Sequence, residues 1–482
     1  MGEVVDLENF VGGAWVRPRA TERLDVLDPS DGSILARVPR SGAEDVDHAV
    51  RAARKAFLSW RDVPVPDRAG RVLALRQLLE EHAEELALSI IREQGKILDD
   101  ARGSVLRGIE AADFAASAPT TMQGSFLEDV ATGIDSTLVR QPLGVVAGIT
   151  PFNFPVMIPL WMAPLALVCG NSFILKPSER DPLSPTLLAR IFEKTRFPAG
   201  TFNLVHGDVD AVNAILTHPD IDAVSFVGSA PTARHVYTTA AAHGKRVQAL
   251  AGAKNFMIVM PDADLDRSVP AILSSAFGMA GERCLAGSVV LAVEPGADQL
   301  VERLAEATRG LTVGRAGDAK TEIGPVIRAE SRDRILKWVR EGEAAGATLV
   351  ARGPKPPDTG GFFVAPVLLD RVRPEMPIAQ EEVFGPVLCV VRVRSLNEAL
   401  EVANRSRFGN ASAIFTRDGK AAREFTRRIE AGMVGVNIGV PAPPAYFPFV
   451  GWKGSFYGDL HATGRDAVDF YTRKKVITSR WF

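Results

Sequence analysis

Three cysteines in 482 residues, Cys169, Cys284 and Cys389, are too few and too scattered for a disulfide scaffold or for the paired C-x-x-C ligands of a zinc site. No metal is expected, and a reduced cytoplasmic setting fits. Charge of one sign is equally scarce: 56 Lys and Arg stand against 58 Asp and Glu, a formal net charge of −2. Nothing global draws such a chain to nucleic acid or to an anionic membrane, so an anionic ligand has to be held by local charges. The start, Met1 to Asn9, carries Glu3, Asp6 and Glu8 and lacks the basic start and apolar stretch of a secretory signal. One long run, Gln141 to Leu175, has no charged residue, but Pro142, Pro151, Pro155, Pro159 and Pro164 interrupt it. Thr150, Asn153, Asn171 and Ser172 would also lack partners in lipid, so a buried strand, loop and helix are expected there rather than a membrane span.

What is present is the composition of an enzyme-sized globule, with 46% hydrophobic and 24% charged residues. From Ala43 to Arg102 apolar residues recur at helical spacing, as in Val46, Ala49, Val50, Ala53 and Phe57, and again in Val72, Leu75, Leu78 and Leu79. Two amphipathic helices are expected. After Arg140 the texture changes to short apolar runs closed by turn residues: Gly144 to Ile149, Phe173 to Leu175 before Lys176-Pro177, Phe202 to Val205, and Ala223 to Val227 before Gly228-Ser229. Strand, turn and helix at this spacing predict a parallel α/β sheet whose ligands sit beyond the carboxyl ends of the strands. A second α/β series starts at Phe256–Met260 and continues through Ser288–Val293, Val387–Val393 and Ala411–Phe415. Thr121 to Arg140 and Val468 to Trp481 read as peripheral strands, of the kind that pair between subunits.

Cys284 lies in the glycine-punctuated stretch Gly278 to Gly287, beside Arg283, and a neighbouring cation is expected to lower a thiol's pKa. On local context alone an isolated cysteine is more often inert core, which is the reading of Cys169 and Cys389. The order of motifs around Cys284 changes that. Thr150-Pro151-Phe152-Asn153-Phe154-Pro155, Lys176-Pro177-Ser178-Glu179, Phe226-Val227-Gly228-Ser229, Gly281 to Cys284, and Glu381-Glu382-Val383-Phe384-Gly385-Pro386 together resemble the aldehyde dehydrogenase superfamily over essentially the whole chain.

The resemblance implies a Rossmann-like NAD-binding domain (1–120 and 141–248), an α/β catalytic domain (249–445) and a small β oligomerisation element (121–140 and 462–482) in a homodimer or homotetramer. It implies Cys284 as nucleophile and Asn153 as the side-chain donor to an oxyanion. It further implies Thr150, Phe152, Lys176, Glu179, Arg180, Ser229, Ala251 and Glu382 as cofactor contacts. A carboxylate at Glu179, where the adenosine ribose is held, disfavours a 2′-phosphate and so favours NAD over NADP. The blander readings are a structural amide for Asn153, a surface turn for Lys176 to Glu179, and a solvated loop acid for Glu382.

One departure is informative. Hydrolytic members carry Glu-Leu-Gly-Gly-Lys, where the glutamate activates the deacylating water, and the matching stretch here is Leu250-Ala251-Gly252-Ala253-Lys254. Leucine cannot accept a proton, and a general base is typically worth about 10² to 10⁴ in rate. Thioester exchange with a thiol such as CoA needs no such base. Gln248 to Asn255, Gly281 to Cys284 and Phe447 to Ser455 with Asp459 to Ala462 are similar to the CoA-acylating methylmalonate and malonate semialdehyde dehydrogenases. In these, two arginines hold the substrate carboxylate, and they map onto Arg107 and Arg283. The implied reaction is NAD-dependent oxidative decarboxylation to propionyl-CoA or acetyl-CoA. The alternatives are a hydrolytic dehydrogenase for another semialdehyde, such as succinate semialdehyde, and a non-catalytic protein on this fold; on spacing alone Arg107 reads as a helix-surface cation.

Overall fold

In the computed structural model, which describes residues 4–482, the alternating apolar runs of residues 145–250 form one parallel sheet. Glu3, one of the acids at the start, lies outside the described residues. The order in space is Phe202–Leu204, Ser172–Lys176, Val145–Ile149, Ala223–Val227, Arg246–Leu250, with every neighbouring pair parallel. The first of these strands in the chain is thus the middle one, and the path runs outward one way before returning to the other side. That reversal opens a crevice at the carboxyl ends of Val145–Ile149 and Ala223–Val227, where α/β sheets take ligands. Both central strands Val145–Ile149 and Ser172–Lys176 are buried at every position. Helices cover both faces of such a sheet, which is why these strands read as continuous apolar runs rather than alternating ones.

The charge-free stretch becomes the strand Val145–Ile149, a loop, the helix Met157–Val168 and the strand Ser172–Lys176. Every residue of that helix except Trp161 is buried. Among the described residues no helix is long and apolar enough to cross a membrane. The segment from Ala43 holds more helices than the two expected: Ala43–Trp60, Val65–Glu81, Ala83–Gln94 and the start of Leu98–Ala116. A break at His82 and a left-handed Gly95 (φ 86°) divide what the apolar spacing alone joins. Antiparallel strands not foreseen from the sequence extend the sheet at both ends, with Asn9–Val11 and then Ala14–Val16 beyond Phe202–Leu204, and Phe456–Tyr457 beside Arg246–Leu250.

The second sheet runs Thr348–Arg352, Val367–Asp370, Val387–Val393, Gly287–Val293, Asn255–Val259, Ala411–Phe415, Met433–Val436, parallel except at the first pair. Its core is the largest apolar cluster of the molecule. A third, antiparallel sheet pairs Thr472–Arg480 with Ile134–Pro142 and that strand with Ser125–Ala131. The expected strand from Val468 begins only at Thr472, because Gly464–Phe470 is helical and buries Ala467, Val468 and Phe470. Likewise Thr121 ends the short helix Ala118–Thr121.

Candidate active site

Cys284 follows a tight turn, Gly278–Gly281, in which Met279, Ala280 and Gly281 all have positive φ (55°, 52° and 72°). Left-handed backbone costs roughly 1–2 kcal/mol per non-glycine residue, so the surroundings must hold this turn. The Met279 N–H donates to Asp100 Oδ2 at 3.2 Å. At Gly281 a Cβ would come within 2.2 Å of the Gly385 carbonyl oxygen, which only glycine allows. After the turn, the Cys284 carbonyl accepts from two amides, Asn255 Nδ2 at 2.8 Å and Asn410 Nδ2 at 2.9 Å. The backbone of Cys284 is thereby fixed without using its sulfur.

Asn153 comes from the loop after the strand Val145–Ile149. Its Nδ2 donates to the Glu282 carbonyl at 3.0 Å, and its own carbonyl accepts from Lys96 Nζ at 2.7 Å. Lys96 is buried, lies 4.3 Å from the centre of the Phe154 ring, and also donates to Ser104 Oγ at 3.3 Å. Burial, only partly offset by Asp100 and Asp181, pushes its ammonium down to about 7.

Two cavities meet at the sulfur. The larger, about 660 Å³, lies along the carboxyl ends of the first sheet, and Thr150, Phe152, Asn153, Lys176, Glu179, Arg180, Ser229, Ala251, Glu382 and Cys284 line it. The smaller, about 340 Å³, is lined by Arg107, Arg283 and Cys284 among others. Every residue expected from the sequence to contact substrate or cofactor falls on one or the other, whereas Leu250 lines neither. Arg107, which spacing alone would place as a surface cation, faces the smaller cavity. It is held by Glu110 Oε2 at 3.2 Å and by the carbonyls of Pro443 and Ala442 at 3.4 and 3.5 Å. Arg283 spends Nη2 on the Ser274 and Ser275 carbonyls (2.7 and 3.1 Å), and its Nε is buried without a partner.

The sequence model of the aldehyde dehydrogenase family matches residues 15–477. The chain belongs to the aldehyde dehydrogenase family. It is 55% identical over 482 residues, the full length of both chains, to malonate-semialdehyde dehydrogenase 2 of Geobacillus thermodenitrificans. Its fold superposes on the crystal structure of methylmalonate-semialdehyde dehydrogenase from Oceanimonas doudoroffii with a TM-score of 0.97, 47% identity and 99% of each chain covered. A Sinorhizobium meliloti structure complexed with NAD, assigned provisionally to methylmalonate-semialdehyde dehydrogenase, gives a TM-score of 0.98 at 45% identity, covering 100% of this chain and 99% of the other.

The electrostatics of this aldehyde dehydrogenase correct one expectation. Arg283 does lower the Cys284 thiol, but burial, reinforced by the nearby Glu382, outweighs it and pushes the thiol up to about 12. A sequence neighbour is visible in the sequence, whereas desolvation by the assembled fold is not. In the ligand-free enzyme the thiol is then mostly protonated at neutral pH. Alkylation of Cys284 by iodoacetamide is expected to rise about tenfold per pH unit from 7 to 10. Peptide mass analysis of timed samples measures it, and a plateau near pH 8 would contradict the raised value.

Leu250 is 5% exposed and sits in an apolar cluster with Leu285, Met433 and Phe449, against which Cys284, Trp161 and Val227 pack. Glu382 reaches the larger cavity from the second sheet, accepting the Ala253 N–H at Oε1 (3.1 Å). Burial pushes it up to about 7, the Ala253 bond pulling the other way. Gly252 makes room for it, since a Cβ there would lie 2.6 Å from Glu382 Oε2. Lys96, Asn255 and Asn410 went unrecognised in the sequence. Each is a buried polar residue whose partner lies far along the chain, so no local pattern marks it.

Proposed function

We propose that the chain is an NAD-dependent, CoA-acylating dehydrogenase of malonate semialdehyde and methylmalonate semialdehyde. One observation carries the reading: Leu250, at the position of a water-activating base, lies in an apolar cluster against which Cys284 packs, while Arg107 and Arg283 share a cavity with Cys284. The names of the relatives at about half identity agree with it.

The larger cavity fits NAD. Thr150 Oγ1 is buried there without a partner, and the helix Ala230–Ala242 opens at Ser229 with free N–H groups suited to a diphosphate. Lys176 and Glu179, 3.3 Å apart, provide a donor and an acceptor for ribose hydroxyls. Bound there, NAD supplies the acceptor for the hydride that leaves the substrate carbon. The protein does the rest. The Cys284 sulfur adds to the aldehyde carbon, and the oxyanion so formed is met by Asn153 Nδ2 and the Cys284 N–H. Loss of hydride leaves a thioester on Cys284, and the CoA thiol exchanges with it. The carboxylate lies β to the oxidised carbonyl, so loss of CO₂ through an enolate gives acetyl-CoA or propionyl-CoA.

Residues 1–120 with 141–248 serve as the cofactor-binding unit and 249–445 as the catalytic unit, in a cytoplasmic enzyme. The outermost strand Ser125–Ala131 is exposed along its length, with Phe126 62% and Leu127 63% exposed. Free edges of this kind recruit other chains, and residues 121–140 and 462–482 join subunits into a homodimer or homotetramer.

Arg107→Leu tests the carboxylate assignment. KM for malonate semialdehyde is expected to rise roughly 10- to 100-fold, the worth of a charge-assisted hydrogen-bonded pair, while KM for propanal stays within about twofold. Steady-state rates on both aldehydes measure it, and equal changes would remove Arg107 from the substrate site.

A further inference from the structure

The wall of the larger cavity carries three guanidinium groups that neither the sulfur nor the ribose contacts need. Arg180 follows the Lys176–Glu179 turn, with its guanidinium 5.3 Å from the centre of the Phe152 ring. Arg328 stands at the N-cap of the sixteen-residue helix Ala329–Ala344, and Arg334 one turn into it. All three line the cavity, together with Ser331 of the helix's first turn. Their counter-charges are poor. Arg180 Nε is 3.8 Å from Glu179, which Lys176 already engages, and Arg328 Nε is 3.6 Å from Glu330. Arg334 donates to the Val383 carbonyl at 2.7 Å and has no carboxylate within ion-pair distance among the described residues. Burial, and next the charge of Arg328, lower Arg180. Glu282 behind them is pushed up to about 8 by burial. Glu179, Asp208, Glu381 and Glu382 also line the cavity, but Lys176, Arg40 and Arg407 engage the first three. Three poorly paired guanidinium groups at a helix end whose free N–H groups add positive potential make a place for a multiply charged anion.

We propose that Arg180, Arg328 and Arg334, with the first turn of the helix Ala329–Ala344, form a cradle for a phosphoryl group of the nucleotide that occupies this cavity. The proposal rests on reading the cavity as the nucleotide site. Two sources share that chemistry, the diphosphate of NAD and the phosphates of CoA. The helix at Ser229 already offers the NAD diphosphate an N-terminus, so a second cationic element assigns the cradle to CoA and its additional 3′-phosphate.

The test is calorimetric titration of the full-length enzyme and its Arg328→Gln variant with NAD, CoA and 3′-dephospho-CoA, with Arg334→Gln as a second variant. Thermal unfolding checks that both variants are folded. Arg328→Gln is expected to weaken CoA about tenfold or more and to leave NAD and 3′-dephospho-CoA within about twofold. Equal weakening of all three would also support the cradle and place a diphosphate in it. Unchanged affinities for all three in both variants, no measurable binding included, would overturn it. The two readings fail separately. CoA that binds through Arg328 but is never acylated sinks the acyl transfer and leaves the cradle, whereas CoA acylated equally well by a variant with unaltered affinity does the reverse.

Discussion

Cys284→Ala is expected to lower NADH formation from malonate semialdehyde by about 10⁴ to 10⁶, the usual consequence of removing a covalent nucleophile. The geometry makes this a clean substitution. The loop is held through the Cys284 carbonyl by Asn255 and Asn410, and through Gly281 against Gly385, so the sulfur itself bears none of the structure. Thermal stability should change little, and NAD affinity should stay within a few fold. Absorbance of NADH in steady state measures the loss. Retention of more than about 1% of the activity would show that another group attacks the aldehyde.

Asn153→Ala should cost kcat about 10² to 10³, the range seen when one oxyanion donor is removed, with KM changed much less. The side chain is already aimed before substrate arrives: its Nδ2 donates to the Glu282 carbonyl at 3.0 Å, next to the cysteine loop, and Lys96 pins the Asn153 backbone carbonyl at 2.7 Å. An amide so placed leaves one N–H for the charge that develops on the substrate oxygen. The lost bond to Glu282 adds about 1 kcal/mol of destabilisation, visible as a lowered unfolding midpoint. A fall in kcat/KM that came entirely from KM would instead make Asn153 a ground-state contact.

The central strands were legible because burial on both faces leaves only apolar residues, and turn residues punctuate them where they point at the crevice. The short strands Asn9–Val11 and Phe456–Tyr457 were not, since two or three residues carry no period and depend on a partner already in place. The helix Gly464–Phe470 was mistaken for strand because its β-branched and aromatic residues pack into the core, where packing overrides propensity. In the site, types and order pointed to Cys284, Asn153 and Glu382, which the fold brings to one cavity. The position of Arg107 depends on a loop more than 300 residues away, at Ala442 and Pro443. The thiol's high pKa depends on burial, which no neighbour in the sequence reports. Arg328 and Arg334 carried no signal in the sequence, because only the fold turns that helix end into the cavity wall.

On the proposed reading the acyl group leaves Cys284 to a thiol rather than to water, because Leu250 occupies the place of a base. Malonate semialdehyde and NAD supplied with and without CoA, with NADH followed in time and the product identified by mass, test it most directly. The account predicts acetyl-CoA and sustained turnover with CoA, and without it about one equivalent of NADH per site followed by a stall. Free acid formed equally fast in the absence of CoA would contradict it.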